Sequence, residues 1–391
     1  MDIYNNITQR MLIVLLVTFK DIYSKKDNSF NLIRFLLAMM VIYSHSFVLL
    51  GHLNYAYPAI LNYVNYFPPV ECFFIVSGFL VTQSLLESPS YGIYLLKRVL
   101  RIFPAFFVSL TVIAFIIGPI VSHTTIYNYF WAPGQDNPWN FVFKNITLNI
   151  TGYSWTIRDV FSSNPFSLGL NGSMWTIKHE FAMYLILIVF SFFYFFKYRK
   201  LLLLTTFITG MLVILNLKYS YSLVHLSGYK WWVISDNEYA SFIKLLYYFL
   251  TGSSIYIFMD KIYFSWRFIF LITMVLLFLF VNSNIHLLKY AFLVCLPYLI
   301  LALGLKFRLP SFGKYGDFTY GLYIYAFPIQ QLITYYFGSR LTIANYFILV
   351  FCITLFVSIL SWKYIEGPSL HLKNVLIIKC RLFLPKTNVN Y

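Results

Sequence analysis

Long apolar segments recur along this chain and are separated by shorter polar connections. Most of these segments approach the length of about 17 to 25 mostly apolar residues that one transmembrane helix needs. The pattern therefore predicts an all-α fold, a polytopic bundle of about ten membrane-spanning helices. The predicted spans cover residues 31–52, 67–86, 102–121, 175–196, 201–217, 240–259, 265–282, 287–305, 317–337 and 341–362.

The segments outside these spans are expected to carry no soluble domain. The apolar stretch 11–19 is too short to cross a bilayer and lacks the small-residue cleavage site of a signal peptide, so we predict an interfacial helix there. The expected organisation is an interfacial and cytoplasmic segment over 1–27, a membrane domain over 28–370 and a basic cytoplasmic tail over 371–391.

The composition agrees with a bilayer protein and argues against a soluble domain. Hydrophobic residues make up 60% of the chain and charged residues only 11%, which lies far outside the usual soluble range. Aromatic residues make up 21%, and their amphipathic rings are favoured at membrane–water interfaces. The four cysteines form no CxxC pair, so neither a metal site nor a disulfide framework is predicted.

The net charge of +16 would suit a nucleic-acid partner, but no basic soluble domain is predicted to carry it. Most of the 29 Lys and Arg residues instead lie at alternate connections between spans. The positive-inside rule places those connections in the cytoplasm, with both termini on the same side. The clusters include Lys97, Arg98 and Arg101, then Lys197, Arg199 and Lys200, then Lys306, Arg308 and Lys314.

Two connections on the opposite, outer side are long, over 122–174 and 218–239. Both combine Trp with Asn, Asp or Glu among Pro and Gly, a mixture common in surfaces that contact carbohydrate. The same aromatic residues could instead anchor these connections at the membrane interface. Both interpretations remain open at this point.

An ionisable side chain inside a predicted span is a candidate for function, because an unpaired charge there is costly. Arg34 and His45 lie eleven positions apart on the first span. Eleven positions make about three helical turns, so both side chains face the same way, about 16 Å apart along the axis. Arg34 could simply extend to headgroups, and His45 could form a helix–helix hydrogen bond. An imidazole is also the usual general base near neutral pH.

The second span carries Glu71 at its outer edge and Ser77 and Gly78 in its middle. The carboxylate could be hydrated at the interface or could serve a site within the bundle. Small residues inside a span more often mark tight helix packing than a ligand site. We therefore expect Ser77 and Gly78 to lie at a helix contact.

The third span is preceded by Arg98 and Arg101, which are three positions apart and project onto one helical face. Two guanidiniums could clamp phosphate groups, since each can engage two oxygens. A topology signal would produce the same cluster. Asp317 and Glu366 lie at predicted helix ends, where capping or solvation is the expected role.

The fourth span begins with three consecutive ionisable residues, Lys178, His179 and Glu180. They cannot all face one partner on a helix, so one is expected to be functional and the others to face water or headgroups. Glu180 is the chosen candidate, because a carboxylate could orient or stabilise His45 at a similar depth.

The chain resembles acyltransferase family 3, membrane proteins of which many O-acetylate bacterial surface polysaccharides. The matching motifs follow one another in order across about residues 28–370. They are Arg34 with His45, Glu71-x-Phe73-Phe74-x-x-Ser77-Gly78-Phe79, Arg98-x-x-Arg101 with Phe103-Pro104, Gly172-Ser173-x-Trp175-Thr176 with Glu180, Thr319-Tyr320-Gly321-x-Tyr323, and Tyr364-Ile365-Glu366-x-Pro368. The chain departs from many relatives at Tyr325-Ala326, where Trp-His is frequent, so a second site histidine is not expected.

This resemblance implies a membrane O-acyltransferase of the bacterial inner membrane. The donor would be acetyl-CoA or another acyl-CoA, and the acceptor a cell-surface glycan or its polyprenyl-linked precursor. On the resemblance, Arg34 and His45 would be essential, and Arg98 and Arg101 would bind the donor. The position of Arg34 adds it to the predicted phosphate-binding cluster, and the carboxylates of Glu180 and Glu71 join His45 in the predicted catalytic set. His45 would act as general base or accept the acyl group itself. No metal and no nucleic acid are expected to take part, membrane lipids would surround the bundle, and the oligomeric state is open.

A transporter or flippase for lipid-linked saccharides is the main alternative. It would also show many spans, outward aromatic residues and buried charges. Such proteins commonly carry internal repeats and a pair of broken helices, and the sequence shows neither.

The predicted topology can be tested with reporter fusions at residues 60, 150 and 230. All three should report an extracytoplasmic position, because each lies in a connection opposite the basic clusters. A fusion at residue 90 is the matched cytoplasmic control. A cytoplasmic signal at any of the first three positions would contradict the ten-span topology.

Overall fold

The computed structural model describes residues 17–51, 67–219, 230–231, 234–235, 239–307 and 316–372, apart from residues 26, 135, 151 and 153. Within these ranges the chain forms a bundle of long helices, which confirms the predicted all-α polytopic fold. A short antiparallel pair, β1 (Lys230–Trp231) and β2 (Ile234–Ser235), is the only sheet in this part of the chain.

The helices follow the order of the predicted spans. The short helix α1 precedes the bundle, and α5 and α6 lie in the long connection between the third and fourth spans. The helices are α1 (Phe19–Ile22), α2 (Phe30–Leu49), α3 (Pro69–Leu86), α4 (Tyr91–Val121), α5 (Ile126–Trp131), α6 (Pro138–Ile146), α7 (Trp175–Phe192), α8 (Arg199–Lys218), α9 (Tyr239–Ile257), α10 (Trp266–Val281), α11 (Ile285–Lys306), α12 (Thr319–Phe337) and α13 (Ile343–Ser361), the last extended by a π-turn over Trp362–Glu366.

Helices lie at all ten predicted positions, and seven of those described are long and apolar enough to cross a membrane. The three others are α9, α10 and α12. Helix α10 is apolar but has 16 residues. Helices α9 and α12 have 19 residues each but a more polar composition, with Gln, Ser, Thr and several Tyr.

The polar composition of α12 follows from its position inside the bundle. Gln330 donates to the Ile42 carbonyl at 2.9 Å and to Ser46 Oγ at 3.2 Å. Gln331 donates to the carbonyls of Phe166 and Gly169 at 2.7 and 2.8 Å. These amides bind protein groups and not lipid, so a helix enclosed by neighbours needs less apolar surface than one that faces the bilayer.

Helix α4 starts earlier than the predicted third span, which began at residue 102. Its first residue is Tyr91, and the hydroxyl of Ser90 caps it by accepting from the Ile93 amide at 3.3 Å. The additional turns carry Lys97, Arg98 and Arg101, so apolarity alone could not mark them as helical. The predicted interfacial helix over 11–19 lies mostly outside the described residues.

Helices α3 and α9 pack at very close range through two glycines. A Cβ on Gly78 would lie 1.9 Å from the Phe249 carbonyl oxygen, and one on Gly252 would lie 2.1 Å from the Ile75 oxygen. Ser253 Oγ accepts from Thr82 Oγ1 at 2.9 Å across the same contact. The predicted packing role of Gly78 is therefore confirmed.

We predict that Gly78→Ala destabilises the bundle by about 1 to 3 kcal/mol, because the added methyl group has no space against a backbone carbonyl. Thermal unfolding in detergent would measure the loss. Gly92→Ala is the matched control, since its nearest neighbour is Ser90 Oγ at 3.9 Å. Equal melting temperatures for Gly78→Ala and wild type would contradict the packing described here.

Candidate active site

A cavity of about 120 Å³ lies inside the bundle between α2, α3, α4, α7 and α12. It extends along α3 from Val70 to Val81, about 16 Å at the helical rise of about 1.5 Å per residue. We name the end of the bundle where α2 begins at Phe30 the arginine end, and the opposite end, where α3 begins at Pro69, the far end. The polar groups that line the cavity are Arg34, Ser77, Arg98, Arg101, Thr176, Glu180, Tyr184, Thr319, Tyr320 and Tyr323.

Two of the three arginines share one carboxylate. Arg34 donates to Asp317 Oδ2 at 2.8 Å, and Arg101 donates to the same oxygen. Arg101 also lies 3.4 Å from Glu366 Oε2. Carboxylates from the start of α12 and the end of α13 thus neutralise guanidiniums from α2 and α4, as buried charges require.

The expected roles of Asp317 and Glu366 were only partly right. Asp317 does cap α12, because its Oδ1 accepts from the Thr319 amide at 3.2 Å, but its second oxygen holds the arginines. Glu366 is not solvated: it is only 2% exposed and also accepts from Ser361 at 3.0 Å. Helix-end position in the sequence could not reveal partners that are more than 200 residues away.

Asp317 remains ionised in this setting. It precedes the first residue of α12 and is buried, which by itself would raise its pKa. The guanidiniums of Arg101 and Arg34 and the hydrogen bonds from Thr319 outweigh burial and hold the pKa well below its usual value. The carboxylate is therefore a permanent counter-ion at neutral pH.

Arg98 has different surroundings. It donates to Ser84 Oγ at 2.9 Å and lies over the rings of Tyr94 and Tyr184, at 5.9 and 5.6 Å from their centroids. Its Nε is buried without a hydrogen-bond partner, and in the described part of the chain no carboxylate is paired with it. Of the three cavity arginines, Arg98 therefore has the most charge available for an anionic ligand.

The middle of the cavity carries the groups that could contact a reacting molecule. Glu180 accepts a hydrogen bond from the Tyr184 hydroxyl, and Thr176 and Tyr323 share a hydrogen bond of 2.5 Å. Ser77, expected only at a packing contact, also lines the cavity. The resemblance motifs contained Thr176 and Tyr323, but their mutual contact was not foreseeable from the sequence.

The residues next to Glu180 are buried, contrary to the expectation that they face water or headgroups. Lys178 is 2% exposed and His179 is fully buried. The His179 ring lies 5.7 Å from the rings of Trp175 and Phe242. The prediction was wrong because α7 is enclosed here by α9, and a single sequence does not show which sides of a span meet protein.

The structure places His45 outside the set of residues that line the cavity. Its ring meets the edge of Phe327 at 5.2 Å, and its Nδ1 is buried with no hydrogen-bond partner among the described residues. Glu180 hydrogen bonds to Tyr184, and no described contact joins it to His45. The helix α2 is continuous from Phe30 to Leu49, so His45 lies about 16 Å from Arg34 toward the far end.

Glu71 belongs to a different space, which we name the far-end cleft. It lies between the far ends of α3, α8, α9 and α11. Glu71 is 9% exposed and pairs with Lys244 at 2.7 Å, so its carboxylate is not simply hydrated at the interface. The structure thus brings Glu180 together with Arg34, Arg98 and Arg101, and it separates Glu71 from them.

Comparison with known proteins identifies the family. The family model described as an acyltransferase domain matches residues 27–363, and the chain therefore belongs to this acyltransferase family. An O-acetyl transferase of Shigella phage Sf6 is 26% identical over 367 residues, covering 87% of this chain and 95% of the phage protein. Nodulation protein 10 of Rhizobium leguminosarum bv. viciae is 29% identical over 172 residues, covering 41% and 43%. No solved structure gives a significant match.

The protein is accordingly an acyltransferase built as a multi-pass bundle of apolar helices. The resemblance found in the sequence motifs is confirmed by a match that spans most of the chain.

We predict different outcomes for the two arginines of α4. On the hypothesis that the cavity arginines bind an acyl-CoA donor, Arg98→Ala should weaken acetyl-CoA binding about tenfold or more, because charge-assisted hydrogen bonds to a phosphate would be lost. Arg101→Ala should lower the melting temperature by several degrees, because among the described residues it leaves Glu366 buried with no paired cation and Asp317 with Arg34 as its only cation. Isothermal titration with acetyl-CoA and thermal unfolding would measure both effects.

Lys97→Ala is the matched control for these variants. Lys97 lies on the same helix end but donates to Ser88 at 2.8 Å and does not line the cavity. Its removal should leave both binding and melting temperature near wild type. Unchanged acetyl-CoA affinity in a folded Arg98→Ala variant would contradict a donor-binding role for Arg98.

Proposed function

We propose that this acyltransferase moves an acetyl group from acetyl-CoA to a hydroxyl of a cell-surface glycan or its lipid-linked precursor. The donor binds from the cytoplasm and the acceptor from the other side of the bacterial inner membrane. One observation carries the proposal: a single cavity joins three arginines at one end of the bundle to Glu180, Thr176 and hydroxyl groups farther along.

The arginine end suits the nucleotide part of the donor. CoA carries several phosphates, and guanidinium groups bind phosphate oxygens in pairs. Arg98 provides the principal charge, while Arg34 and Arg101 are held in place by Asp317. The flexible arm of the donor then extends along α3 and carries the thioester toward the middle of the bundle.

In the chemical step the acetyl group passes directly from the CoA sulfur to the acceptor oxygen. The acceptor hydroxyl oxygen bonds to the thioester carbonyl carbon, the carbon–sulfur bond breaks, and the hydroxyl proton ends on the CoA sulfur. In this proposal His45 serves as the general base, since an imidazole suits proton transfer near neutral pH. His45 lies outside the cavity lining, so the acceptor hydroxyl binds between His45 and the cavity. The Glu180 carboxylate and the Tyr184 hydroxyl that donates to it are polar groups beside the reacting thioester.

The relatives support acetyl as the transferred group and transfer to a hydroxyl oxygen as the reaction. The phage protein is named an O-acetyl transferase and aligns over nearly its whole length with this chain. The long outer connections with their tryptophans support an acceptor that contains carbohydrate. A reaction wholly inside the cytoplasm would not need a histidine three turns beyond the arginines.

The test uses purified protein in oriented vesicles, with radiolabelled acetyl-CoA supplied only on the cytoplasmic face. Label should appear in glycan confined to the opposite face, and CoA should be released in equal amount. A saccharide that crosses without CoA release would identify a flippase. Labelling that requires donor and acceptor on the same face would leave acyl transfer intact but remove its transmembrane direction.

We predict that His45→Ala lowers the transfer rate at least about 100-fold, which is the usual contribution of a general base. The melting temperature should stay near wild type, because the imidazole supplies chemistry more than packing. His123→Ala is the matched control, since His123 is exposed in the connection after α4. Near wild-type transfer by His45→Ala would return this residue to a structural role.

A further inference from the structure

Toward the far end, the cavity is bounded by a contact between α7 and α12. Thr176 and Tyr323 are the lining residues of these two helices nearest the far end, and their hydroxyls share a hydrogen bond of 2.5 Å. The ring of Phe73 also lines the cavity and lies 6.0 Å from the Tyr323 ring. Thr176 and Tyr323 therefore form the last polar layer of the cavity in this direction.

One helical turn beyond this layer, the ring of Phe327 fills the space between α12 and the start of α7. Phe327 is 4% exposed and does not line the cavity. A Cβ on Gly172 would lie 2.5 Å from a carbon of this ring, so the glycine provides the room that the ring occupies. Asn171 fixes the approach of the two segments, because its side-chain amide donates to the Ile324 carbonyl of α12 at 2.9 Å. The Gly172 motif thus seats an aromatic ring next to the cavity.

The same ring contacts His45. The two rings meet edge to face with their centroids 5.2 Å apart, and Phe166 packs on Phe327 at 5.9 Å. His45 is half-buried although it does not line the cavity, so its accessible surface lies outside the cavity. Phe327 therefore lies between His45 and the cavity, where the proposed reaction brings the acceptor hydroxyl.

An acyltransferase has to keep water from its thioester, because water is also a nucleophile. In hydrolysis the water oxygen bonds to the carbonyl carbon, the carbon–sulfur bond breaks, and a water proton ends on the CoA sulfur, which releases acetic acid and free CoA. Closure of a site against water is what prevents such side reactions. A buried apolar ring at the end of the cavity provides this closure, since it offers water neither space nor a hydrogen bond.

We propose that Phe327 determines the preference of the enzyme for the acceptor hydroxyl over water. The ring closes the cavity beyond its last polar layer when no acceptor is bound, and the acceptor displaces the ring to reach the thioester and His45. Phe327 is thus a specificity-determining residue and makes no bond in the reaction. The inference rests on the proposed function, because it concerns the nucleophile of that reaction.

The test measures CoA release from acetyl-CoA in the absence of glycan, with full-length protein in phosphatidylcholine nanodiscs. Phe327→Ala should raise this release at least about tenfold, because water then reaches the thioester, and the acetyl group should appear as acetate. In oriented vesicles with glycan, the ratio of CoA released to glycan acetylated should rise above one. Phe327→Leu should keep both quantities near wild type, since it retains apolar bulk.

Phe292→Ala is the matched control, because Phe292 is a buried ring on α11 that does not line the cavity. It removes the same side chain from the bundle and should leave CoA release without glycan at the wild-type rate. A folded Phe327→Ala variant that releases CoA no faster than wild type would overturn the proposal. A parallel fall of CoA release and glycan transfer would also overturn it, because a merely structural role gives that result.

Gly172→Ala tests the same contact from the side of α7. The added methyl group has no space against the Phe327 ring, and a ring confined between this methyl group and His45 cannot move aside for the acceptor. Transfer to glycan should therefore fall about tenfold while CoA release without glycan stays low. Phe327→Leu in the same chain should restore transfer. Failure of the folded double variant to recover would contradict the proposed role of the ring.

The two proposals fail separately. A wild-type protein that acetylates glycan, but whose Phe327→Ala variant shows no added hydrolysis, retains the proposed function and loses this role of Phe327. A wild-type protein that releases no CoA in the presence of glycan loses the proposed function.

Discussion

The arginine end of the bundle depends on one shared contact, the carboxylate of Asp317 between Arg34 and Arg101. A guanidinium inside a helix bundle is costly unless a counter-ion and hydrogen bonds accompany it. Asp317 supplies both to α2 and α4, and Glu366 adds a second carboxylate from α13. Four segments that are distant in the sequence are thereby joined at the arginine end, where the three arginines would otherwise repel one another.

This network makes the three arginines unequal. Asp317 and Glu366 already neutralise the charges of Arg34 and Arg101. These two guanidiniums therefore offer less positive charge to an anionic ligand than Arg98 does. Arg98 rests on two tyrosine rings and a serine hydroxyl, which leaves it able to meet an added anion at little cost. A binding site built in this way keeps its cations ordered before the ligand arrives, which lowers the entropy lost on binding.

Helix α3 separates the cavity from the far-end cleft. Its middle is fixed against α9 by Gly78 and Gly252, whose missing side chains let the backbones approach. One side of α3 borders the cavity with the arginines and Glu180, and its first turn also borders the far-end cleft with Glu71. Helix α3 is therefore a shared wall of the cavity and the far-end cleft.

The length of the apolar segments and the order of the motifs predict a membrane environment, a helical fold and the family, because neither depends on how the helices pack. Sequence reasoning also selected Arg34, Arg98, Arg101 and Glu180, which one cavity brings together. The partners of the charged residues become visible only in the packed bundle. Lys178 and His179 are buried, Asp317 forms ion pairs with the arginines, and Glu71 pairs with Lys244. The physical reason is that pairing of charges in a bundle depends on which helix faces meet, and hydropathy along one chain does not encode that choice.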